Sequence, residues 1–267
     1  MKRISRFLGV FLCLAIVISV SVFAGSTTID VSNVDAGFFT VSYDASSDLK
    51  MKVGVTYAGS TTYYNYTPGT ESSYTFDHGE GWYDIALYRN ISGTTYRLVT
   101  SESVKVTAFD PMAKYLVSTA EVTFAEDDAV GMKAAELCEG LETVEEKLVA
   151  IHNYIAGTFT YDTAFANDVR RGIIKNYTPN TNELMERQQG VCYDFSSLFA
   201  AMCRSQGIPC AVAKGYTISG YHAWNMVYLN DAWIGVDLTA SIAYGLSNTD
   251  ELADFTATMN RYFRYTF

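Results

Sequence analysis

A chain of 267 residues with 49% hydrophobic positions carries enough apolar content for one large core or two modest ones, which excludes a disordered or low-complexity protein. Its net charge of −10 argues against nucleic acid or an anionic membrane as the main partner, because both select basic surfaces. Tyr and Phe are abundant, and aromatic residues together with Thr favour strands.

Residues 1–24 read as a secretory signal peptide. Lys2, Arg3 and Arg6 form a positive start, Phe7 to Phe23 is an apolar run, and Val22-Phe23-Ala24 offers small residues for cleavage before Gly25. The expected location is therefore secreted, extracellular or at the cell surface. Membrane attachment is expected only if the segment stays uncleaved, since the run approaches the ~18 apolar residues of a spanning helix. Cys138, Cys192, Cys203 and Cys210 remain after cleavage, which is no dense disulfide framework. Cys203 and Cys210 flank a helix end; they either pair or sit as small buried hydrophobes.

Residues 25–108 read as an all-β domain, an immunoglobulin- or fibronectin-like sandwich. Candidate strands are Thr27–Ser32, Phe38–Tyr43, Lys50–Tyr57, Tyr83–Arg89, Tyr96–Thr100 and Ser103–Ala108, punctuated by Gly, Asn, Asp and Ser. His78, in a Gly-rich turn, has no second histidine or cysteine near it in sequence, so no metal site is expected there.

Asp110-Pro111 marks the boundary to a second domain, 109–267, where the pattern turns helical. Thr143-Val144-Glu145-Glu146 is a capping box, and Val144, Leu148, Ile151 and Ile155 recur at helical spacing. His152 adjoins that stripe and reads as a core-edge histidine with a local partner. The polar stretch holding Asn167, Asp168, Arg170, Arg171 and Lys175 reads as a long loop. A helix then starts near Cys192, buries Phe195, Leu198, Phe199, Met202 and Cys203, and stops at Gly207 before Pro209.

Cys192 at the start of a helix is placed for a nucleophile. The positive end of the helix dipole favours thiolate over thiol, and free backbone N–H groups there can bind an oxyanion. Tyr221 to Thr239 reads as a β-hairpin. With Asn230-Asp231 as a two-residue turn, Trp224 faces Asp237 and His222 faces Thr239. His222 and Asp237 then share one face as diagonal neighbours, roughly 7–8 Å apart at the backbone. A thiol, an imidazole and a carboxylate suit a nucleophile, a general base and its orienting group.

From about Thr143 to Thr239 the chain resembles the transglutaminase-like superfamily, the papain-related group of thiol acyl transferases and peptidases. The resemblance rests on Glu146-Lys147-Leu148 to Tyr161-Asp162, Gly190-Val191-Cys192 to Gly207-Ile208-Pro209, His222-Ala223-Trp224, and Trp233 to Asp237-Leu238-Thr239. It implies an α+β architecture, with helices packed on an antiparallel sheet following the sandwich. It also implies Cys192 as nucleophile, His222 as base and acid, and Asp237 as orienter. Gln188 and Gln189 are candidate oxyanion donors, and Tyr193 and Trp224 candidate walls of the substrate cleft. The expected activity is peptidase or amidase hydrolysis of a protein or peptide, cell-wall peptide included. Protein cross-linking and a non-catalytic cell-surface binding protein are the alternatives. No cofactor or metal is expected, and calcium independence follows from the lack of an Asp-x-Asp-x-Asp-Gly loop.

Overall fold

The computed structural model describes residues 27–46, 48–108, 110–175, 177–217 and 220–246. The signal-peptide reading falls on residues 1–24 and lies outside them.

Seven strands come first: β1 (Thr27–Asp30), β2 (Phe38–Tyr43), β3 (Met51–Tyr57), β4 (Ser60–Tyr66), β5 (Glu71–Thr75), β6 (Gly81–Ser92) and β7 (Thr95–Val106). They form two antiparallel sheets, ordered β1-β2-β5 and β4-β3-β6-β7. Alternating residues fill the space between them: Phe39, Val41 and Tyr43 from one sheet, Tyr83, Ile85 and Leu87 from the other, all buried. The two expected strands Tyr96–Thr100 and Ser103–Ala108 fall on one continuous strand, β7, which ends at Val106 and whose register against β6 shifts at Leu87/Tyr88. β4 and β5 escape the sequence reading. β4 exposes nearly every side chain up to Tyr66, so it carries no alternation.

The second unit is built around one helix. Helices α1 (Ala129–Cys138), α2 (Val144–Thr158), α3 (Thr163–Arg170), α4 (Thr181–Arg187), α5 (Cys192–Ser205) and α6 (Leu238–Tyr244) accompany strands β8 (Thr160–Tyr161), β9 (Gln189–Gly190), β10 (Cys210–Thr217), β11 (Gly220–Leu229) and β12 (Ala232–Val236). The architecture is α+β. β10-β11-β12 form an antiparallel sheet, and β8 and β9 a short parallel pair. The core comprises Leu148, Ile151 and Ile155 of α2, Phe195, Leu198 and Phe199 of α5, and Val227 and Leu229 of β11.

The capping box of α2 is present. Thr143 Oγ1 accepts from Glu146 N at 3.2 Å, and Glu146 Oε2 accepts from Thr143 N at 3.0 Å. Gly207, with φ of 72°, takes the left-handed position that stops α5. The stretch expected to be a long loop holds two short helices instead. Asp162 caps α3 by accepting from Phe165 N at 2.8 Å, and Asn180 caps α4 by accepting from Glu183 N at 3.2 Å. Each buries so little, Ala166 in α3 and Thr181 with Leu184 in α4, that periodicity does not reveal them.

Among the described residues, no helix is long and apolar enough to cross a membrane. Cys138, Cys192, Cys203 and Cys210 are free thiols. Cys203 lies against Cys210, both buried, so the pair is packed rather than bridged.

Candidate active site

Cys192 is the first residue of α5, half-buried, with Val191 before it as the capping position. Val191 has no side-chain acceptor, so the helix start is closed from inside. Asp194 Oδ2 accepts from Val191 N at 2.9 Å. The Asp194 carboxylate is fully buried, takes Arg187 Nη2 at 2.7 Å on Oδ1, and accepts from the Tyr177 hydroxyl. Arg187 also donates to Tyr177 Oη at 2.9 Å. A buried carboxylate survives only with such partners. The network ties α4 and the 177–180 segment to the first turn bearing the thiol. Sequence reasoning missed it, although an acidic residue in the first turn of the Cys192 helix was the available sign.

The strand before the nucleophile is fixed from its other side. Thr160 N donates to Gln188 O at 3.0 Å, and Asp162 N to Gly190 O at 2.7 Å. Gly190 allows this approach, because a Cβ there would meet Asp194 Cβ at 2.8 Å and Leu184 Cδ1 at 2.9 Å. Burial, and next the charge of Cys192, push the Tyr161 phenol up from its ordinary value.

His222 comes from β11. Asn230 and Asp231 both have positive φ, 51° and 60°, the conformation of a two-residue hairpin turn. Leu229 lies opposite Ala232 and Asn225 opposite Val236, the register expected from the turn residues. Past Val236 the expected strand ends. Asp237 leaves the sheet as the N-cap of α6, Oδ1 accepting from Ala240 N at 3.2 Å. Thr239 is helical and does not face His222. The physical reason is that Asp before Leu-Thr-Ala-Ser is a strong N-cap, which overrides one further rung of sheet.

Freed from the strand, the Asp237 carboxylate reaches His222 directly, Oδ2 lying 2.8 Å from Nε2. Cys192 is the second group that acts on the imidazole, through its side chain and its charge. Burial works against charge on His222, but the bond to Asp237 and the Cys192 side chain, with both partners' charges, raise its pKa to about 9. The Trp224 indole stacks on His222, centroids 6.3 Å apart and 18° between planes. One further contact supports Asp237: buried His152 Nε2 lies 2.8 Å from Ser241 Oγ, which donates to Asp237 O at 3.2 Å. His152 is fully buried, not at the core edge; burial lowers its pKa to about 4.

Cys192, His222 and Asp237 are thus brought together, with Trp224 against the imidazole. Tyr193 points elsewhere, its hydroxyl donating to Glu121 Oε2 at 2.5 Å. Gln188 and Gln189 have exposed side chains, and the backbone carbonyl of Gln188 is used by Thr160. No group of three or more His, Cys, Asp or Glu among the described residues could hold a metal ion. A thiol, an imidazole that keeps its proton through neutral pH, and a carboxylate holding that imidazole can form and resolve a covalent acyl intermediate.

Comparison with known proteins agrees on the segment. Residues 132–238 match the family model described as the transglutaminase-like superfamily. The chain is 31% identical over 117 residues to human kyphoscoliosis peptidase, covering 39% of this chain and 17% of that protein. The chain therefore spans about a sixth of that curated relative. A solved transglutaminase structure aligns with 27% identity over 41% of this chain and 30% of its own, TM-score 0.36. The periplasmic domain of TgpA from Pseudomonas aeruginosa aligns with 13% identity over 76% and 94%, TM-score 0.39.

Proposed function

We propose that this chain, which carries a transglutaminase-like core over residues 132–238, is a cysteine-dependent acyl-transfer enzyme acting on amide bonds outside the cytoplasm, with hydrolysis as its reaction. The observation that carries the proposal is the His222 imidazole, held by Asp237 at 2.8 Å through Nε2, with Cys192 the other group acting on it.

With Nε2 engaged by Asp237, the second ring nitrogen, Nδ1, serves the thiol. The Cys192 sulfur attacks the substrate carbonyl and forms the C–S bond. The oxyanion is met by backbone N–H groups at the start of α5. As the tetrahedral centre collapses, the C–N bond breaks and His222 gives its proton to the departing amine. A water then attacks the thioacyl carbonyl, losing its proton to His222. The C–S bond breaks, leaving a carboxylic acid and the free enzyme. Asp237 holds the ring and its tautomer throughout. The substrate is a protein or peptide, with cell-wall peptides within its range.

Incubating the protein with casein and a fluorescent primary amine tests this reading. Hydrolysis predicts casein fragments without fluorescence, lost in Cys192→Ala. Amine incorporation would shift the assignment to cross-linking. No Cys192-dependent product of either kind would leave a non-catalytic binding protein.

A further inference from the structure

His152 lies on α2 with no exposed surface and takes no part in the chemistry above. Its side chain crosses to α6, where Nε2 lies 2.8 Å from Ser241 Oγ. The Ser241 hydroxyl donates to the Asp237 carbonyl at 3.2 Å, and Ser241 N donates to the same oxygen at 3.1 Å. With its proton given to Asp237, the hydroxyl takes one from His152, so the neutral ring carries its hydrogen on Nε2. Nδ1 lies 3.1 Å from the Asn153 side-chain amide. Two hydrogen bonds thus lead from a buried imidazole to the residue whose carboxylate holds His222.

The first sign that this path does more than pack is the size of α6. It has seven residues, below the about 12–15 at which a helix becomes stable alone. Its placement therefore comes from what it buries, Leu238 and Ser241, with Ile242 leaning on the core. Leu238 supplies apolar contact without direction, whereas the bond from His152 to Ser241 is directional and fixes the helix about its axis. Asp237 is the N-cap of that helix, and its Oδ1 is engaged by Ala240 N at 3.2 Å. The seat of α6 thus decides where Oδ2 points, and Oδ2 is the oxygen 2.8 Å from His222 Nε2. The second sign is that the pair is costly. An imidazole and a hydroxyl inside an apolar core must satisfy each other, and two apolar side chains of similar shape would serve stability as well. Serine is also a poorer helix residue than alanine, more so when it bonds back to the carbonyl four residues earlier. Burial lowers the His152 pKa to about 4, so the tether is uncharged at neutral pH.

We infer that His152 is a positioning residue for the catalytic carboxylate: through Ser241 it seats the start of α6 so that Asp237 meets the His222 imidazole. The inference rests on the acyl-transfer reading above for the task Asp237 performs. It extends the apparatus from the triad to α2, whose Leu148, Ile151 and Ile155 anchor His152 in the core.

Ser241→Ala removes the hydroxyl with little change in volume and favours the helix, so what it loses is position. The chain has three histidines, and imidazole NMR titration of isotope-labelled protein, assigned with His222→Ala, reads His222 directly. In wild type His222 is expected to titrate near 9. In Ser241→Ala and His152→Leu that value should fall toward 6.5 by about one unit or more, as the bond to Asp237 weakens. His152→Gln can still place an N–H on Ser241 and should recover part of what His152→Leu loses. With casein as substrate, kcat should fall about tenfold in Ser241→Ala with KM unchanged, and the alkaline limb of kcat/KM should move down with the NMR value. A His222 titration unmoved in Ser241→Ala overturns the inference, whatever the urea midpoint does. So does a hydrolysing wild type whose kcat survives Ser241→Ala. A titration that moves in a protein whose wild type never hydrolyses casein keeps the positioning role and sinks the acyl-transfer reading alone.

Discussion

Replacing Asp194 with Ala removes the group that closes the start of the nucleophile helix. Its side chain is fully buried and serves Val191 N at 2.9 Å, Arg187 Nη2 at 2.7 Å and the Tyr177 hydroxyl. The Val191 N–H, left buried and unpaired, costs about 1–3 kcal/mol. Arg187 is about a third exposed and recovers water, so the lost ion pair falls below the about 3–5 kcal/mol of a wholly buried one. Together these give about 3 kcal/mol of destabilisation of the core. Equilibrium urea unfolding followed by tryptophan fluorescence reads it, since Trp224 and Trp233 lie in this unit. Asp194→Asn keeps an acceptor for Val191 N and is expected to cost less. Both variants should slow Cys192 alkylation at urea concentrations where they remain folded. A loss under about 1 kcal/mol for Asp194→Ala, with alkylation at the wild-type rate, would refute the reasoning that this carboxylate sets the nucleophile's helix start.

Amide hydrolysis should decline as pH rises through about 9, where His222 loses the proton it gives to the leaving amine; the pH profile of kcat/KM shows it, and a plateau beyond pH 10 would contradict it. His222 also stabilises the fold below its unfolded pKa of 6.5, and that stability should drain away as pH rises through about 9. His152 acts at the other end. Its folded pKa of about 4 lies below the 6.5 of a free imidazole, so the unfolded chain binds a proton that the buried neutral ring refuses. Stability should fall between pH 6.5 and 4 by about 3 kcal/mol, measured by urea midpoints, and His152→Gln should flatten that slope. Gly190→Ala drives a methyl into Asp194 and Leu184 at under 3 Å and should destabilise by about 1–3 kcal/mol; a neutral result in thermal unfolding would show that β9 can retreat.

Legibility in the sequence followed the strength of local signals. The α2 cap at Thr143-Glu146, the stop at Gly207 and the Asn230-Asp231 turn each rest on few residues with strong backbone preferences, and the structure has all three. The turn also fixed the register that brings His222 toward Asp237. The same sequence misled one step later, because strand pairing and N-capping compete for Asp237 and capping wins. The carboxylate then does both tasks, one oxygen on Ala240 N and the other on His222. α3 and α4 were illegible because their buried faces are one or two residues wide, and β4 because it shows almost every side chain to solvent. The Asp194 network depends on Tyr177 and Arg187, brought together only by the turn between α3 and α4, a long-range arrangement that no local pattern encodes.

The most direct test of the central claim is to trap the acyl intermediate. Wild-type protein mixed with an activated peptide ester, quenched in acid and analysed by intact and peptide mass spectrometry, should carry the acyl group on Cys192. Hydroxylamine should remove it, and His222→Ala should accumulate far less. Product formed without any adduct on Cys192, or an adduct equally abundant in His222→Ala, would contradict the account.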